Sequence, residues 1–170
     1  MDRQIVWQGR FLRAVVRGRY ECIERCNISG IVGIIAVTDE GELVLVEQFR
    51  PPLQARVIEL PAGLVGDTDA GRDESLETAA HRELMEETGY VAASIEPVAC
   101  GAASAGMSNE TMTLMLARGL TRTAAGGGDE HEDITVHHVP LKQLLDWLRR
   151  RTAEGILVDL KVYAAIPFCQ

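Results

Sequence analysis

A chain of 170 residues, 46% hydrophobic and 25% charged, is long enough to enclose a core and is expected to form one domain over residues 1–170. Its formal net charge of −8 argues against gripping a long nucleic acid by its phosphates, although bound cations would still admit a small phosphorylated ligand. The longest apolar run, Ile31 to Val37, is too short to cross a membrane, and Met1-Asp2-Arg3-Gln4 lacks the basic start and apolar core of a secretory leader, so the cytoplasm is the expected location.

In chain order, Phe11–Arg17 and Tyr20–Asn27 are β-rich around Arg17-Gly18-Arg19 and predict an N-terminal hairpin. Ile31–Thr38 and Leu43–Phe49 flank the turn residues Asp39-Glu40-Gly41-Glu42 and predict a second hairpin. Val57–Leu60 is a short strand ending at Pro61. Glu74–Thr88 is a helix with Asp73 as N-cap and Gly89 just past its end. Ile95–Gly101, Thr111–Arg118 and Ile134–Val139 are strands, and the glycine-rich stretch Thr123–Gly128 between the last two predicts a mobile loop. Leu141–Arg151 and Ile156–Ile166 predict helices, the second stopped by Pro167. Strands outnumber helices and follow one another through short turns, which predicts a mixed, largely antiparallel sheet with helices on its faces. Cys22, Cys26, Cys100 and Cys169 match no zinc spacing and are expected to be buried free thiols. Met107, Met112 and Met115 are expected to pack in the core, and His137 and His138 to sit at its edge.

The helix carries the chemistry. At roughly 100° per residue, Glu83, Glu86 and Glu87 share an arc of about 100°, and Leu76, Ala79 and Ala80 of the preceding turns lie on nearly the same azimuth. The stripe that faces a core therefore changes from apolar to acidic at its C-terminal end. Three inward carboxylates repel one another and lose hydration, which is costly unless a cation holds them. Oxygen ligands without an accompanying thiol suit Mg²⁺ or Mn²⁺.

The residues around these acids resemble the Nudix box, Gly-x5-Glu-x7-Arg-Glu-hydrophobic-x-Glu-Glu-x-Gly-hydrophobic. Glu74, Arg82, Glu83, Leu84, Glu86, Glu87 and Gly89 occupy its fixed positions, and Tyr90 takes the last, loosely hydrophobic place. The opening glycine is displaced: Thr68 stands at its offset, and Gly63 in Glu59-Leu60-Pro61-Ala62-Gly63 takes its part, which implies an insertion around Gly66–Asp73. The resemblance implies an α/β/α sandwich in residues 30–170, preceded by a β extension over residues 1–29. Glu47-Gln48-Phe49-Arg50, Gly106-Met107-Ser108-Asn109-Glu110 and Asp129-Glu130-His131-Glu132-Asp133 are further similar to the ADP-ribose pyrophosphatase branch.

That resemblance implies metal ligation by Glu83, Glu86, Glu87 and the Ala62 carbonyl, with Mg²⁺ or Mn²⁺ as cofactor. It implies bracing by Glu74 and Arg82, substrate contacts from Arg50, Glu59 and Glu110, and a general base or further ligand from Glu130 or Glu132. The implied reaction is hydrolysis of ADP-ribose to AMP and ribose 5-phosphate. The branch tends to carry a proline where this chain has Ala105, so a GDP- or ADP-hexose stays open as substrate. A nucleotide-binding regulator without turnover is the reading from another class. Members with an N-terminal sheet are commonly homodimers, which makes a second copy the expected partner, with Trp7, Phe11 or Tyr20 available to stack on a base.

Overall fold

The computed structural model describes residues 2–66, 74–128 and 133–169. Strands β1 (Arg3–Gln8), β2 (Leu12–Arg17) and β3 (Tyr20–Arg25) form an antiparallel N-terminal sheet. The hairpin expected there is thus a three-stranded meander. Its first strand has all six residues exposed and offers no buried face to betray it in the sequence. The main body follows with β4 (Gly30–Ala36), β5 (Glu42–Arg50), β6 (Ala55–Glu59), β7 (Ala62–Val65), helix α1 (Leu76–Thr88), β8 (Tyr90–Ala102), β9 (Thr111–Arg122) and β10 (Thr135–Pro140). A short 3-10 turn at Leu141–Gln143 leads into α2 (Leu144–Ala153), then β11 (Leu157–Val158) and α3 (Leu160–Ala165).

Two four-stranded sheets make up this body, in the orders β7-β4-β9-β8 and β10-β5-β6-β11. The expected pairing of β4 with β5 is corrected. The Asp39–Glu42 turn closes with Thr38 N–H on Glu42 O at 2.9 Å, but beyond the bridge Val37↔Leu43 the two strands part into different sheets. Both are buried along almost their whole length, so each needs cover on two faces, which one hairpin does not supply.

Alternation along the central strands divides the core. Val32, Ile34, Ala36, Val44, Met115 and Ala117 pack with Ala79, Ala80 and Leu84 of α1. Ile35, Leu43, Leu45, Leu114 and Leu116 pack with Leu144, Leu148, Val162 and Ala165 of α2 and α3. The sheets are thereby sandwiched between helices in a mixed α+β fold. Each fully buried Ile or Leu side chain contributes about 1.5–3 kcal/mol.

The C-terminal segment differs from expectation. Gly155, at φ +88, ends α2, and Leu157–Val158 runs parallel to β6 before Asp159 caps a short α3. Among the cysteines only Cys169 is buried; Cys22 and Cys26 are intermediate and Cys100 is exposed. Met115 is buried as expected, whereas Met107 is exposed. No helix among the described residues is long and apolar enough to cross a membrane.

Candidate active site

Helix α1 begins at Ser75, whose Oγ accepts the Thr78 N–H at 3.1 Å, and closes at Gly89, in the left-handed region at φ +75 with its N–H on Met85 O at 2.8 Å. Its buried stripe runs Ala79, Ala80, Leu84, Glu87, Thr88. The expected N-cap, Asp73, lies outside the described residues, as does Thr68. The change from apolar to acidic is real but graded: Glu87 is buried, the Glu83 side chain is 12% exposed and that of Glu86 is 47% exposed. Glu86 therefore stands at the solvent margin, and Leu76, at the start of the same stripe, is exposed.

Arg82 organises the acids. Its Nε and Nη2 donate to the two oxygens of Glu74 at 3.1 and 3.3 Å, and Nη2 also reaches Leu64 O at 3.1 Å. Its Nη1 donates to Glu83 at 2.7 Å and to Glu86 at 3.1 Å. Burial works against the charge on Arg82, but the hydrogen bond to Glu74 and the charge of Glu83 outweigh it and raise its pKa. Glu74 is held below the usual carboxylate range, first by the Arg82 hydrogen bond and further by the Gly66 N–H. The planar guanidinium suits this task because it meets several carboxylates in fixed directions.

Strand β7 supplies the opposite wall. Its pairing with β4, Ala62 opposite Gly33 and Gly63 opposite Val32, sets it beneath the helix. The Ala62 N–H donates to Glu87 Oε2 at 3.0 Å. A Cβ on Gly63 would overlap the Glu83 carboxylate, so glycine is required there for close approach rather than for turn geometry. Ala62, Gly63, Glu83 and Glu87, far apart in the chain, thus meet at one place, with Glu86 joined through Arg82. Their donor chemistry, all carboxylate and backbone oxygen, fits a hard divalent cation. Among the described residues no three acidic, His or Cys side chains form a ready-made cage, and Arg82 Nη1 stands between Glu83 and Glu86 as their shared donor.

The other expected site residues border two separate recesses or lie outside the described residues. Arg50 Nε donates to Glu59 at 2.6 Å, and both border a recess of about 290 Å³ with Leu53 and Leu157. Glu110 is ion-paired with Arg25 of the N-terminal sheet beside a smaller recess of about 140 Å³, and among the described residues no hydrogen bond or ion pair joins it to the box acids. Glu130, His131 and Glu132 lie outside the described residues.

Two features escaped the sequence. Glu47, on β5, is buried and accepts hydrogen bonds from Arg56 at 2.6 Å, Arg151 at 2.8 Å and His137 at 2.9 Å. Burial alone would raise its pKa; the Arg151, Arg56 and His137 hydrogen bonds win and bring it to about 2. The second is Glu24, buried in the N-terminal sheet under Arg3, Arg13 and Arg17 and held far below the usual range, chiefly by Arg3. Neither strand marks its acid by alternation, and the partners are too distant in sequence for any spacing rule.

The family model described as NUDIX domain matches residues 29–158. The chain is 34% identical over 142 residues to the ADP-ribose pyrophosphatase of Bacillus subtilis, covering 83% of this chain and 72% of that protein. The same identity and coverage relate it to the methanol dehydrogenase activator of Bacillus methanolicus. A crystal structure of an ADP compounds hydrolase superposes with a TM-score of 0.68 at 23% identity, covering 86% of this chain and 81% of that one, a likeness of fold.

Proposed function

The chain belongs to the Nudix domain family, and from that premise we infer that it hydrolyses the diphosphate bond of a nucleoside diphosphate derivative, ADP-ribose foremost, giving AMP and ribose 5-phosphate. The observation that carries this reading is the meeting of Glu83 and Glu87 with Ala62-Gly63 across the helix–strand gap. Glu83, Glu86, Glu87 and the Ala62 carbonyl would hold the divalent cation, Mg²⁺ or Mn²⁺. When bound, it supplies positive charge to the diphosphate oxygens, the main requirement of phosphoryl transfer.

The chain's own groups do the rest. Glu74 fixes Arg82, and Arg82 keeps Glu83 and Glu86 facing one another although both are negative. Arg50 exchanges part of its contact with Glu59 for a phosphate oxygen of the substrate. Glu110, through Arg25, is the substrate contact on the side of the N-terminal sheet. Glu130 or Glu132 takes the proton of the attacking water. Ala105, in place of the branch's proline, favours a nucleotide sugar as the second reading of the substrate.

Residues 1–170 act as one catalytic unit in the cytoplasm, with residues 1–29 as an extension. We infer a homodimer through that extension, because Ile5, Trp7 and Tyr20 of its sheet and Phe11 of the β1–β2 connection are each exposed. A monomer mass by light scattering rejects the dimer. The reaction is tested by incubating ADP-ribose, ADP- and GDP-hexoses, dinucleoside polyphosphates and NADH with the protein and Mg²⁺ or Mn²⁺ and then adding alkaline phosphatase, which releases phosphate from the monoester products of diphosphate cleavage. Release from ADP-ribose above the rest supports the assignment, and release from none rejects turnover in favour of a binding protein.

A further inference from the structure

The last turn of α1 is closed partly by its own continuation and partly by the chain segment that follows β9. A helix ends with carbonyls that lack intrahelical partners. Here Met85 O receives the Gly89 N–H, Glu87 O receives the Gly127 N–H at 2.9 Å, and Glu86 O receives the Gly128 N–H at 3.1 Å. The segment is tied down on its approach as well. The N–H groups of Thr123 and Ala124 both donate to Gly89 O, at 2.8 and 3.1 Å, and the Arg122 guanidinium reaches the carbonyls of Ala124 and Ala125, each at 3.3 Å. The stretch expected to be a mobile loop is therefore docked, up to Gly128, on the turn that bears two of the site's acids.

Gly126 and Gly127 do different work. Gly126, at φ +73, lies against the helix so closely that a Cβ would sit 2.7 Å from Thr88 Cα and 2.8 Å from Glu87 O. Gly127, at φ +115, has room among the described residues, with Ile134 O the nearest of their atoms at 3.9 Å, and its backbone conformation asks for glycine. Contact is thus indispensable at Gly126 and conformation at Gly127.

The geometry points to Gly126, Gly127 and Gly128 as positioning residues for cation binding: they clamp the end of α1 so that Glu86 and Glu87 are held ready instead of fraying with the helix terminus. This rests on the metal-dependent reading above. The clamp acts through the backbone donors of Gly127 and Gly128 and the close seat of Gly126 against Thr88. Its loss leaves every carboxylate in place but lets the turn that carries two of them loosen.

The test is a Mn²⁺ titration of the full chain followed by electron paramagnetic resonance of the free ion, with thermal melting by circular dichroism alongside. Gly126→Ala is compared with Gly119→Ala, another glycine at positive φ (+63), where a Cβ would press on Ala93 within β8–β9 and touch nothing in α1. Gly126→Ala is expected to weaken Mn²⁺ binding by about tenfold to a hundredfold while still folded, the range typical of losing support behind a ligand. Gly119→Ala is expected to lower the melting temperature and leave Mn²⁺ affinity at the wild-type value. If Gly126→Ala melts early but binds Mn²⁺ as tightly as wild type, the clamp is only structural and the proposal fails. If Gly126→Ala does not fold, Gly127→Ala takes its place. It is strained but unobstructed among the described residues; weakened Mn²⁺ binding supports the proposal and unchanged binding overturns it. Glu87→Gln in the same titration separates the two ideas: unaltered Mn²⁺ affinity there rejects the metal-site reading itself, whatever the glycines do.

Discussion

Glu87 Oε2 accepts the backbone N–H of Ala62 at 3.0 Å, joining the last turn of α1 to the first residue of β7 across 25 positions of sequence. One carboxylate oxygen thus anchors the strand, and the charge of the group serves the cation. Glutamine keeps an oxygen for the Ala62 N–H and loses the charge. Glu87→Gln is expected to retain the wild-type melting profile and lose about 10²-fold or more of its turnover, since even the supports behind metal ligands are worth 10–100-fold. Steady-state rates at saturating Mg²⁺ check this, and an unchanged rate rejects Glu87 as a ligand.

Gly63 tests the opposite wall. Because a Cβ there would overlap the Glu83 carboxylate, Gly63→Ala must displace either the acid or the strand. Overpacking of this kind costs about 1–3 kcal/mol, so denaturant unfolding should show a loss in that range. Mn²⁺ binding should fall with it, because the displaced group is itself an expected ligand.

The proton acceptor is settled by substitution. Removing a general base usually lowers the rate by about 10²–10⁴-fold, so one of Glu130→Gln and Glu132→Gln should fall in that range while the other stays near wild type. Rate measurements across pH distinguish them, since loss of the base also removes the acidic limb of the profile. Two active variants place the base elsewhere.

Glu47 predicts how stability depends on pH. Its folded pKa, about 2, lies below the ordinary value of 4.5, so its contribution is full above the ordinary value and is lost as pH falls through that window toward 2. Urea midpoints measured between pH 6 and pH 3 should therefore decline as the acid limb is entered. Glu47→Gln should flatten that decline while lowering the midpoint at neutral pH, because Arg56 and Arg151 are left without their shared counter-charge. A Glu47→Gln protein with the wild-type acid slope would show that the pH dependence arises elsewhere, with Glu24 and Glu74 the next carboxylates to examine.

Local order wrote much of this molecule into the chain. The spacing from Glu74 to Gly89 states which residues share a helix face, because helical geometry is periodic and needs no distant partner. Turn residues at Asp39–Gly41 marked a reversal, and the β-rich runs that became β4, β5 and β9 marked strands. Only the tertiary structure decided which strands pair, since β4 and β5 are neighbours in sequence and belong to different sheets. It also decided that Glu86 stands at the solvent margin, that Glu110 turns to Arg25, that Glu47 gathers three partners, and that the glycines after β9 grip the helix end. Each of these depends on residues brought together by sheet packing, and contact across such distances leaves no period in a single sequence to read.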